Sequence, residues 1–141
     1  MNAALDEATQ LFKAGCRDRT SFQLLIETGR APNETIGFLA QQACEKFIKA
    51  ILVIQSVPVE RTHDLERLSN IANAAGLILP VPASELRQLN PYAVALRYEG
   101  IEVGWVTDSK SQTMVDKLYA GALAVLAQQD TDLADRARGS V

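Results

Sequence analysis

From Ile36 onward the large apolar and small residues fall at Ile36, Ala40, Ala43, Phe47, Ala50 or Ile51, and Ile54. This alternating spacing of three and four predicts a helix packed in a bundle. Pro32 and Asn33 stand just before it, which makes Asn33 the candidate N-cap. Residues 3–28 carry the same period in Leu5, Ala8, Leu11, Phe12, Phe22, Leu25 and Ile26, with Gly29 as a stop and the polar CRDRTS as a candidate bend. After Pro58, THDLERLSNIANAAG places Leu65, Leu68, Ile71, Ala72 and Ala75 on one side and ends at Gly76, the residue type found just past a helix end.

LILPVP breaks the pattern, and ASELRQLNPYAVALRY resumes it through Leu86, Leu89, Ala93 and Leu96. Pro91 should kink that helix by removing an amide donor. EGIEVGWVTDS reads as a loop with a short extended piece, and its GxxxG, Gly100 to Gly104, has no meaning outside an apolar span. The capping-box form SKSQ from Ser109 opens a last helix with Val115, Leu118, Ala122, Val125 and Leu126 inward. The expectation is all-α: a four- to five-helix antiparallel, up-and-down bundle over residues 1–128, followed by a frayed tail over 129–141. No internal repeat is visible.

Composition agrees with a globular domain: 141 residues, 48% hydrophobic and 22% charged, is enough for one core and far from the disordered regime. A net charge of −3 excludes a global basic footprint, so any nucleic-acid contact must be local. Cys16 and Cys44 lack C-x-x-C spacing and, with the single His, cannot form an ordinary zinc site, so buried thiols, no metal and no cofactor are expected. The N-terminus has neither a basic n-region nor an apolar h-region, and the longest apolar run is the brief AILVI. A cytoplasmic protein with no membrane contact is expected, and the sequon at Asn33 reads as empty.

Two places carry candidate chemistry. Gln42, Glu45, Lys46 and Lys49 form a polar stripe on the second helix, readable as an exposed face with a Glu45–Lys49 pair or as a surface where two lysines meet phosphates. His63, between Thr62 and Asp64, lies at a helix start. There the three residues can be a cap, or the imidazole can serve as acid or base near Arg61 and Arg67.

QQACEKFIKAI, then THDLERL, then ALRYEG, spread over Phe38 to Tyr98, together resemble the HEPN family, the higher eukaryote and prokaryote nucleotide-binding domains. Its bacterial and archaeal members carry a QQAxEKxxKA-like second helix, a THDL-like start to the third and an RY pair closing the fourth. The resemblance implies a helical bundle, a homodimer and, in many cases, a neighbouring nucleotidyltransferase in a toxin–antitoxin-like pair. Many members are metal-independent ribonucleases in which an Arg and, a few residues on, a His act together across two subunits.

Here that Arg would stand at Ser56, Val57 or Pro58, and none is Arg; Arg97 of the RY pair has no His after it. The usual dyad is absent. The expected function is therefore a non-catalytic binding module, homodimeric, partnering a nucleotidyltransferase or binding nucleotide or RNA phosphates through Lys46, Lys49, His63 and Arg97. The alternatives are an atypical ribonuclease using His63, and a ligand-free dimeric scaffold joined by an apolar helix face such as one bearing Tyr92 or Trp105.

Overall fold

The computed structural model describes residues 2–95 and 106–129. Within them the chain forms α1 (Ala3–Thr28), α2 (Asn33–Ile54), α3 (Leu65–Ala74), α4 (Ala83–Leu86), a 3-10 turn (Arg87–Leu89), α5 (Tyr92–Ala95) and α6 (Asp108–Gln129). No strand occurs among the described residues. The class is all-α, as the periodicity predicts.

The polar CRDRTS does not bend α1, which is one uninterrupted helix. Two of the segment's residues explain why: Cys16 is buried in the core, and Arg19 reaches Asp116 of α6 at 3.0 Å. Asn2 caps α1 by accepting from the Leu5 amide, and Gly29 closes it in the left-handed conformation at φ 66°.

Asn33 is not the cap of α2. Pro32 holds that position, its carbonyl accepting from the Thr35 and Ile36 amides, while the Asn33 side chain donates to the Tyr92 hydroxyl at 3.1 Å. The tight link to α5 takes the side chain away from the helix end.

α2 is the central element, with α1 and α6 on one side and α3 and α5 on the other. Gly15 of α1 lies against Phe47, Asp18 against Lys46 and Ala4 near Val53, so α1 and α2 run antiparallel. Phe12, Phe47 and Tyr119 meet with centroids 5.6 to 5.8 Å apart, joining α1, α2 and α6. The helices approach so closely that a Cβ at Gly15 would lie 2.7 Å from the Phe47 ring, and one at Gly37 2.3 Å from the Tyr92 ring.

The 83–95 segment is more broken than a single Pro91 kink. Four-residue α4 passes through the 3-10 turn into four-residue α5, burying Leu86, Leu89 and Tyr92. Tyr92 is 1% exposed and its hydroxyl also accepts from the Val106 amide at 3.2 Å. It belongs to the protein's own core and not to an outward dimer face; Trp105 lies outside the described residues.

α2 ends with Ser56 at φ 60°, where the Val57 amide donates to Leu52 and the Ser56 amide to Val53. α3 closes with the same pair of bonds around Gly76 at φ 83°. α6 starts one residue before the expected Ser109, and its cap is Thr107, whose hydroxyl accepts from the Lys110 amide at 3.2 Å. Ser111 is thereby turned into the core. The extended piece expected in the 99–108 loop falls mostly, and the tail beyond 129 wholly, outside the described residues.

Candidate phosphate-binding site

The polar stripe of α2 is not an exposed face. Its centre, Glu45, is 5% exposed, and Gln41, one turn earlier, is fully buried. A buried carboxylate must have partners, and here it has three. Gln41 Nε2 donates to Oε1 at 3.1 Å, Lys49 Nζ donates to Oε2 at 3.0 Å, and His63 Nδ1 meets Oε1 at 2.9 Å.

Residues 41, 45 and 49 follow at successive spacings of four, which stacks them along one row of the helix. The row faces the loop ahead of α3, and Gln41 Nε2 donates a second bond to the His63 carbonyl at 2.9 Å. Gln42 adds a bond to Gln41 Oε1 at 2.6 Å. No buried side-chain polar atom among the described residues lacks a partner.

His63 is fixed from both directions. Asp64 is the N-cap of α3, its carboxylate accepting from the Arg67 amide at 3.1 Å and from Asn90 Nδ2 at 2.8 Å. Asn90 Oδ1 in turn accepts from the Leu65 amide at 2.8 Å. The cap reading of THD is thus correct for Asp64, while the imidazole does something separate.

An ionised Glu45 carboxylate only accepts, so in that state Nδ1–H of the ring donates to it and Nε2 is the nitrogen that Glu45 leaves unengaged. The His63 side chain is 63% exposed, against 7% for Glu45 and 15% for Lys49. It borders a shallow hollow of about 230 Å³ lined also by Asp64, Asn90, Ala93 and Val94.

Of the four residues singled out in the sequence, Lys49 and His63 meet around Glu45. Lys46 instead donates to Asp18 of α1, both partly buried. Arg97 lies outside the described residues. Gln41 was missed by the sequence reading; the signal available was its exact-turn spacing to Glu45 and Lys49.

Nearby, Arg67 forms a two-point pair with Glu60 at 2.5 and 3.1 Å. That hydrogen bond, with the guanidinium charge, holds the Glu60 carboxyl below its ordinary range and raises Arg67. Burial pushes the Cys16 thiol up to about 11, and Cys44 higher still, so neither offers a thiolate at neutral pH. Among the described residues no cluster of three His, Cys, Asp or Glu could hold a metal ion, and no helix is long and apolar enough to cross a membrane.

No curated protein and no solved structure matches the chain. The family model of the HEPN domain matches residues 8–128, from the first turns of α1 to the end of α6. The matched span takes in all or most of each described helix and the whole Glu45 cluster, so the chain belongs to the HEPN family and is, in general terms, a nucleotide- or RNA-related helical module.

Proposed function

We propose that this protein is a non-catalytic HEPN binding module that takes a nucleotide or RNA phosphate on Lys49 and His63, with Arg97 and Lys46 contributing further charge. In the same reading it acts as a homodimer beside a nucleotidyltransferase. The observation that carries the phosphate reading is the gathering of an ammonium and an imidazole on one nearly buried carboxylate, with the imidazole left 63% exposed.

Lys supplies a compact charge and a protonated imidazole a second donor, the two kinds of group that hold phosphate oxygens. Lys46 contributes only after leaving Asp18. The absence of an Arg at positions 56 to 58 supports the non-catalytic form.

Fluorescence anisotropy with labelled single-stranded RNA tests this. Binding should saturate and weaken with salt, and Lys49→Gln should weaken it by about tenfold, the size expected for one charged hydrogen bond. Salt-independent or absent binding overturns the reading.

The ribonuclease alternative has its own supporting observation, since a carboxylate bound at Nδ1 orients Nε2 as a general base would need. RNA incubated in EDTA with wild-type protein and His63→Ala decides between them. Cleavage lost in the variant would establish the nuclease; intact RNA leaves the binding module.

A further inference from the structure

The charges around His63 do not add up to an anion site in every protonation state. Glu45 and Lys49 form a salt bridge at 3.0 Å and cancel. With a neutral imidazole the cluster is therefore uncharged, and a phosphate arriving there meets Lys49 already engaged by a carboxylate. A second proton on the ring, at Nε2, makes the cluster singly positive and turns its exposed edge into a donor.

The other charged groups around the ring leave that balance in place. Asp64, beside it, caps α3, faces Asn90 and acts electrostatically on Arg67, and Arg61 of the same loop adds one positive charge to the segment. Arg67 of α3 is held by Glu60, and Arg87 lies 3.6 Å from Glu66. The 87–95 segment lines the hollow with Asn90, Ala93 and Val94, none of which titrates. On the α1 side, Lys46 and Asp18 cancel one another.

We propose that anion capture at this site is proton-linked: Glu45 silences Lys49, so a phosphate is held only when His63 is doubly protonated, and binding takes up one proton. The inference rests on the phosphate-binding reading above and adds its regulation. Glu45 acts as a positioning residue for both cations, bonded to Lys49 Nζ at 3.0 Å and to His63 Nδ1 at 2.9 Å. Affinity rises as pH falls through the imidazole titration, and above that range each pH unit weakens binding by about tenfold, the linkage of a single proton.

A fluorescein-labelled oligouridylate without a terminal phosphate is the suitable probe, because its internal phosphodiesters stay ionised throughout. Its Kd is measured on the full chain from about pH 5.5 to 8.5, the window in which histidine changes charge. Wild type should show a slope approaching one in log Kd against pH. Glu45→Gln, which removes the cancelling charge at nearly the same shape, should bind at least about tenfold tighter than wild type at the alkaline end.

A pH-independent wild-type Kd, or a folded Glu45→Gln protein that gains nothing at high pH, overturns the inference while leaving phosphate binding intact. Absence of binding at every pH overturns the binding reading itself. Should circular dichroism show Glu45→Gln unfolded, His63→Gln decides, since its side chain is mostly outside: loss of the slope supports the linkage and a retained slope ends it.

Discussion

The two sides of α2 solve the same problem with different chemistry. Toward α1 and α6 the helix presents Phe47 to Phe12 and Tyr119, and the fit is tight enough to require glycine at position 15. Toward α3 it presents Gln41, Glu45 and Lys49, and closes the gap with hydrogen bonds to His63. The aromatic contacts of the carbon side gain from apolar area removed from water and carry no ionisable group, the ion pairs of that side, Lys46–Asp18 and Arg19–Asp116, lying outside them. The polar side gains little net energy from its pairs, because each charge must first be desolvated. What it offers is a titratable group held in place at the surface.

The largest test of this contrast is Phe47→Ala. Phe47 is fully buried at the meeting of three helices, and its loss should cost about 3–5 kcal/mol, read as a lower urea midpoint at unchanged slope. A cost no greater than that of a surface change would mean the aromatic cluster is not the centre of the core.

Next comes Glu45→Ala on the polar side. It leaves the Gln41 amide without its carboxylate and Lys49, 15% exposed, without its counter-charge. About 2–3 kcal/mol of destabilisation is expected, the cost of a stranded buried donor and charge and not the worth of the pair. If Glu45→Ala proved as costly as Phe47→Ala, the polar side would have to be counted as structural core.

Gly37→Ala is smaller. The new Cβ would fall 2.3 Å from Tyr92, whose ring cannot swing away while Asn33 and the Val106 amide hold its hydroxyl. Overpacking of about 1–3 kcal/mol, reduced by the helix preference of Ala over Gly of about 1 kcal/mol, leaves a net loss of up to about 2 kcal/mol, read as a lower midpoint of thermal unfolding.

The carbon side was legible in the sequence because period is a property of one helix: Ile36, Ala40, Ala43, Phe47 and Ile51 are all buried where the spacing puts them. The polar side was not, because its meaning depends on what lies opposite. Glu45 and Lys49 at a spacing of four look the same on a solvated face and beneath a neighbouring loop, and only the position of His63 tells them apart. For the same reason Lys46, adjacent in the stripe, was grouped with Lys49, although Asp18 of α1 draws it elsewhere. Caps failed in a related way: Asn33 and Ser109 have the right chemistry, but Tyr92 claims one, and Thr107 opens the last helix ahead of the other.

The smallest effect sharpens the contrast at the rim of the polar side, where the Glu60–Arg67 pair lies exposed. Its hydrogen bond lowers the Glu60 carboxyl below the ordinary 4.5, so the folded state favours the ionised form. The stability this contributes is fully present above that ordinary value and is lost as pH falls through the lowered one. Glu60→Gln should therefore lower the unfolding midpoint slightly at neutral pH, and the two proteins should converge in acid. Exposure adds a second condition: with a Debye length of about 10 Å at 0.1 M salt, the neutral-pH difference should shrink further as salt is raised. A difference that survived both acid and salt would place Glu60 in a packed role and erase the distinction between this open pair and the sheltered one at Glu45. Convergence under both conditions would leave Glu45, shielded from water on α2 and bonded to Gln41, Lys49 and His63, as the carboxylate of this side with sheltered partners.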